Sequence, residues 1–227
     1  MADKDQFGHR ARMRQKLSDK GAEALTDQEL FEIILFAILP RIDTKPIVKS
    51  CFREFKTFAG ILTANERELL KVQGLGTQTI QHIKCISALL DRISFDKIDN
   101  QNILANWQAL QFYCIQKLAH HPIEALYVIL LDNQNKVISM EQLGSGTINQ
   151  MTVYPREVLK IALEKEAVSI VLVHNHPSGD KRASRHDIDM TARLQTTLKS
   201  AHITLHDHLI IAAGSCISMR NQGLIQT

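Results

Sequence analysis

The sequence predicts a two-domain chain of mixed class. An all-α domain covers residues 1–97, and an α/β domain, a sheet with flanking helices, covers residues 103–227. Three observations predict it. Apolar residues recur at helical spacing between residues 10 and 93. The stretch SFDKIDNQNI, 94–103, is polar and breaks that pattern. After residue 122, runs rich in β-branched residues alternate with helical ones, the pattern of a sheet covered by helices.

The elements follow in order. GHRARMRQK, 8–16, carries Arg10, Arg12, Arg14 and Lys16. It reads as a solvated helix end or, alternatively, as a phosphate contact. In ALTDQELFEIILFAIL, Leu30, Ile33, Ile34, Ala37 and Ile38 form a helical stripe. Thr26-x-x-Glu29 is a capping box at its start, and Pro40 stops it. KPIVKSCFREF makes a second helix, with Pro46 tolerated in its first turn. Thr63-x-x-Glu66 opens a third, NERELLKV. The turn Gly74-Leu75-Gly76 leads into a fourth, TQTIQHIKCISALLDRI. NWQALQFYCIQKLAH is the helix that begins the second half. EALYVILLD and KVISMEQL read as strands joined by a turn at Asp132-Asn133. PREVLKIALEKEA is a helix, and VSIVLVHNH is a continuous apolar run, hence a buried central strand. SRHDIDMTARLQTTLKSA is a helix, ITLHDHLIIAA a long strand, and CISMR a short one.

Bulk properties exclude several classes. The 227 residues carry 27 basic and 24 acidic side chains, too even a balance for a nucleic-acid tail. Cys51, Cys85, Cys114 and Cys216 are scattered, so a zinc ribbon is not expected, and they suit a reducing compartment. The N-terminus has no apolar signal core, and no apolar run approaches the ~20 residues that span a bilayer. A cytoplasmic protein without membrane contact is expected.

The chemistry concentrates in HNHPSGDKRASRHD, 174–187. Side chains at i and i+2 of a strand share a face, so His174 and His176 can meet one cation at the end of the buried strand. A catalytic zinc needs three protein ligands and an open position. Asp187, in the first turn of the next helix, is the natural third ligand. Water beside such an ion falls to a pKa near ~7. Ser184 lies three residues before Asp187. It reads as an ordinary N-cap, or as a hydroxyl that donates to a developing oxyanion. The site also needs a carboxylate as proton acceptor, and composition does not choose it. The second His-x-His, His206 and His208, would share a strand face too; His208 and Asp207 read as supporting polar groups rather than ligands.

His174-x-His176, seven residues, then Ser184-x-x-Asp187 matches the JAMM motif of MPN/JAB metalloproteases. HNHPSGD with GTINQMTVYPREVLKIAL before it and DHLIIAAGSCISMRNQGL after it resembles the RadC proteins, over roughly residues 8–227. The resemblance implies a cytidine-deaminase-like JAB/MPN sheet. It also implies a zinc ion on His174, His176 and Asp187, with Ser184 assisting the tetrahedral intermediate. The family's catalytic glutamate lies on the first strand, where Glu124 stands; Glu141 on the next strand is the competitor. RadC sequences usually read PSGDPTPS in the loop that is PSGDKRAS here. Two prolines are lost, and Lys181 and Arg182 come to lie beside the site.

LLKVQGLGTQTIQHI resembles a helix-hairpin-helix, in which the backbone N–H groups of Gly74, Gly76 and Thr77 would face a phosphate. The plainer reading is a tight helix–helix connector. Two functions are therefore expected to compete. One is a zinc-dependent metallopeptidase-like hydrolase, in which metal-activated water attacks a peptide or isopeptide bond of an unknown protein substrate. The other is a DNA-associated repair or recombination module that grips phosphate backbone through its helical domain, the metal being structural or serving phosphodiester chemistry.

Overall fold

The computed structural model describes residues 4–99, 101–145 and 153–225. The GTINQMT part of the motif before Val153 lies outside the described residues. The chain divides into two compact units, Met1–Leu89 and Leu90–Thr227.

The first unit is helical. It holds α1 (Lys4–Lys20), α2 (Asp27–Ile38), α3 (Lys45–Phe55), two short helices α4 (Phe58–Thr63) and α5 (Glu66–Leu69), and the first part of α6 (Thr77–Asp96). Thr26 and Glu29 form the reciprocal cap of α2, so two orphan N–H groups are satisfied at once. Phe31, Leu35, Ile47, Cys51, Ile61 and Ile80 are buried together. Phe31, Phe52 and Phe58 meet edge-to-face. The third expected helix starts differently. Its cap is Asn65 with Glu68, while Thr63 ends α4 and donates its hydroxyl to the Ala59 carbonyl at 2.7 Å. Asn65 is extended, so its amide oxygen reaches the Glu68 N–H, whereas Thr63 is already helical.

Two cations of the arginine-rich stretch face the protein, while Arg12 and Arg14 are exposed. Arg10 donates to the carbonyls of Leu39 (2.7 Å) and Pro40 (2.8 Å) just past the end of α2, and lies over the Phe36 ring. Lys16 pairs with Glu29 at 2.7 Å. These two cations serve the carbonyls and acid of the α2 region, which leaves Arg14 as a solvated charge.

The second unit begins inside α6. Asp91 binds Lys117 at 2.8 Å, Phe95 meets the edge of Tyr113, and Ile98 and Ile103 are fully buried in this unit's core. The polar stretch after residue 93 thus hides two core residues. Next come α7 (Trp107–Leu118), β1 (Ala125–Leu131), β2 (Val137–Ser145), α8 (Pro155–Glu164), β3 (Ser169–His176), α9 (Arg185–Ser200), β4 (Thr204–Ala212) and β5 (Ser215–Ser218). The sheet order is β2-β1-β3-β4-β5. It is mixed: β3 and β4 run parallel, and the other neighbours are antiparallel.

Strand alternation sorts the two cores. Val171 and Val173 of β3 pack with Leu110, Cys114 and Leu118 of α7. Ile170 and Leu172 pack with Val158 of α8 and with Leu194 and Leu198 of α9. His174 and His176 continue the second set, which aims them at the α9 side. The four cysteines are free thiols. No helix among the described residues is long and apolar enough to cross a membrane.

Candidate metal centre

The site forms where β3 ends and α9 begins. Ser184 caps α9 in a full capping box: its Oγ accepts from Asp187 N–H (3.1 Å), and its own N–H donates to Asp187 Oδ2 (2.7 Å). This box sets the direction of the Asp187 carboxylate. The Ser184 hydroxyl proton also goes to Asp187 Oδ2, at 2.6 Å. Asp187 Oδ1 lies 3.4 Å from His174 Nε2, and Oδ2 lies 3.6 Å from His176 Nε2. The two Nε2 atoms are 2.7 Å apart.

Glu124 stands one residue before β1, and its Oε1 is 3.8 Å from His176 Nε2. One ligand atom each from Glu124, His174 and His176 falls within a 4.8 Å sphere of mutual distance, a group that can hold a metal ion. Glu141 lies elsewhere: it is paired across the sheet with Val128, and its carboxylate faces Lys165 at 3.8 Å. The structure therefore brings Glu124, His174, His176, Ser184 and Asp187 together and leaves Glu141 out.

A residue that the motif hides holds Glu124 in place. Asn175 points away from its two histidine neighbours and is buried. Its Oδ1 accepts from Ala125 N–H (2.9 Å), and its Nδ2 donates to the carbonyls of His121 and Ile123 (both 3.1 Å). It stitches the segment that carries Glu124 to β3. The detectable signal was a lone amide on an otherwise apolar strand face.

Electrostatics fit a cation site. Burial raises the Asp187 carboxyl, but the neighbouring His176 and His174 rings and the Ser184 bonds outweigh it, so it ends well below the usual carboxylate range. The Asp187 carboxylate beside it, then the Asp180 carbonyl, raise His176 against burial. Burial, then the neighbouring His208, push His174 well below the usual imidazole value. The donor set is borderline nitrogen plus hard oxygen, which suits zinc. His176 Nδ1 lies 2.7 Å from the Asp180 carbonyl, which only accepts, so that nitrogen carries the proton and Nε2 offers a lone pair to the cluster.

Around the centre is a cavity of about 400 Å³, lined by Glu124, His176, Ser184 and the loop residues Ser178, Asp180 and Arg182. Arg182 grips Asp180 with two bonds, at 3.1 and 2.9 Å, and the guanidinium holds that carboxyl down at about 2. Lys181 donates to Ser215 Oγ at 3.0 Å. The loop's two cations thus have partners inside this unit.

The second His-x-His does not share a partner. His206 is the extra residue of a bulge, since Ile170 pairs with Leu205 and Val171 with Asp207. His206 reaches Asn135 (3.3 Å), while His208 Nε2 lies 2.7 Å from His174 Nδ1. The expectation of one common face fails because the bulge resets the alternation. Asp207 is buried, which raises its carboxyl, and it binds Ser218 Oγ, His208 N–H and Arg220 N–H, so its work is to hold β4.

In the helical unit, Gly74, Gly76 and Thr77 are exposed at the start of α6. Gly74 has φ +95°, and a Cβ there would sit 2.8 Å from the Ile47 side chain. Packing and backbone conformation account for that glycine.

A family model described as RadC-like JAB domain matches residues 104–224. Two curated relatives carry the description UPF0758 protein. One, from Rhodobacter capsulatus, is 40% identical over 94% of this chain and 100% of its own length. The other, from Ruegeria pomeroyi, is 40% identical over 96% of this chain and 97% of its own.

Proposed function

This chain belongs to the RadC family of JAB-domain proteins, and we propose that it is a zinc-dependent hydrolase of peptide or isopeptide bonds. The observation that carries the reading is the convergence of Glu124, His174 and His176 within 4.8 Å, with the Asp187 carboxylate beside both imidazoles. In this reading His174, His176 and Asp187 hold the ion. When bound, zinc supplies Lewis acidity, which lowers the pKa of water and polarises a carbonyl.

The chain's own residues do the rest. Glu124 lines the cavity, and its Oε1 takes a proton from the attacking water and returns it to the leaving amine. Ser184 holds Asp187 in its ligating direction, and its hydroxyl turns to a developing oxyanion only by giving up the Asp187 bond. The wall favours an amide over a phosphodiester. Glu124 and Asp180 bring negative charge, and Arg182, the cation lining this wall, is already paired. A phosphate backbone would find little to neutralise it there.

Elemental analysis of untagged protein tests the reading. About one zinc per chain is expected, from the one-ion ligand count. His174→Ala combined with His176→Ala should lose it. Glu124→Gln should keep the metal and abolish hydrolysis of peptide and isopeptide substrates. Zinc content unchanged in the double variant would defeat the ligand assignment, and full activity in Glu124→Gln would defeat the base.

A further inference from the structure

Behind the ligand cluster lies a line of polar groups shut off from water. His174 is 1% exposed, His208 0% and Thr191 1%. Their hydrogen bonds must therefore close within the protein. Three short contacts connect them: Thr191 Oγ1 to the Asp187 carbonyl (2.6 Å), Thr191 Oγ1 to His208 Nδ1 (2.7 Å), and His208 Nε2 to His174 Nδ1 (2.7 Å).

The protons along this line can be placed. A carbonyl has no hydrogen, so Thr191 must be the donor to Asp187 O, the i−4 bond usual for a helical threonine. A hydroxyl has one proton, so its oxygen can only accept from His208. His208 then carries its proton on Nδ1 and presents a lone pair at Nε2. That lone pair accepts from His174, which must carry its proton on Nδ1. The remaining nitrogen of His174, Nε2, is left with a lone pair facing His176 and Asp187. The opposite direction would leave two oxygens at 2.6 Å with no hydrogen between them.

We infer that Thr191 and His208 are positioning residues that fix His174 in the tautomer whose Nε2 lone pair faces the ligand cluster. The line starts at the backbone of one ligand, Asp187, and ends at the ring of another, His174, so it ties α9, β4 and β3 into one ring. With His176 oriented in the same sense by the Asp180 carbonyl, both Nε2 lone pairs converge at 2.7 Å. Two such lone pairs repel unless a proton or a metal ion lies between them, so the arrangement attracts a positive charge to the cluster. The inference rests on the metal-dependent reading of the site, and the experiment separates the two.

The test measures zinc affinity by chelator competition and the His174 tautomer by long-range ¹H–¹⁵N NMR of metal-free protein. The wild type should show His174 protonated at Nδ1. Thr191→Val keeps the side chain's size and removes the acceptor. It should weaken zinc binding by roughly 10–100-fold, the usual cost of losing a partner behind a ligand. Thr191→Ser should restore wild-type affinity. His208→Phe should weaken binding at least as much, and adding Thr191→Val to it should cost little more, because the two act in series. The Thr191 pair decides the matter if His208→Phe does not fold. Zinc lost in His174→Ala but undiminished in Thr191→Val overturns the relay alone. So does a wild-type His174 protonated at Nε2. Zinc retained in His174→Ala overturns the metal reading and the relay's role with it.

Discussion

Asn175 shows how much of a site can sit on the far side of a strand. Its three hydrogen bonds hold residues 121–125, and so set where Glu124 begins. Asn175→Asp keeps the shape but removes the donor to the His121 and Ile123 carbonyls and places a charge against them. The expected cost is on the order of 3 kcal/mol, read from urea denaturation, and hydrolysis should fall more than zinc affinity does. Unchanged stability would mean that the segment is held by something else. The residues that meet at the candidate site were legible, because His-x-His on an apolar strand and Ser-x-x-Asp at a helix start each imply a direction in space. Asn175, Thr191 and the choice of Glu124 over Glu141 were not derivable from spacing, because they depend on which strands become neighbours. Ser184 also resisted a single reading, and in the structure its hydroxyl serves the cap and the carboxylate together.

Arg10 is a long-range cap for an element it does not belong to. Its guanidinium gathers the carbonyls that follow α2, where Pro40 prevents the chain from satisfying them by continuing the helix. Arg10→Ala should destabilise the helical unit by about 2 kcal/mol, measured as a lowered thermal midpoint, and Arg10→Lys should not restore it, because an ammonium lacks the planar fork. Equal midpoints for wild type and Arg10→Ala would reduce the contact to surface decoration. Sequence patterns located most elements to within a few residues where caps are local, as at Thr26 and Ser184. They failed where the determinant is a backbone angle or a register. The Thr63 start gave way to Asn65, and the bulge at His206 was invisible to a count of two.

For the whole molecule, burial of neutral imidazoles makes stability depend on pH. His208 is pushed down to about 4 and His174 also lies far below the ordinary 6.5, both chiefly by desolvation. Between pH 6.5 and about 4 the unfolded chain therefore binds more protons than the folded one, and stability falls as pH falls. His176, raised by Asp187, acts in the opposite sense: its contribution is present below 6.5 and is lost as pH rises through its raised value. His206 is also lowered by burial, so three depressed imidazoles against one raised one favour a net loss on acidification. The melting temperature of chelator-treated protein should drop from pH 7 to pH 5, and His208→Phe should flatten the dependence; a flat wild-type profile contradicts this account. The alternation of β3 has one more consequence, in the terms of heredity. The tripeptide HNH interleaves two instructions, the outer letters for the ion and the middle letter for the neighbouring strand. Inserting or deleting one codon within β3, with no bulge to absorb it, would exchange their faces and ruin both. A change of two codons keeps both instructions in phase, and a change of one does so only if a bulge absorbs it, as at His206 in β4, while single substitutions in the Lys181-Arg182-Ala183 stretch leave the reading frame of the fold intact.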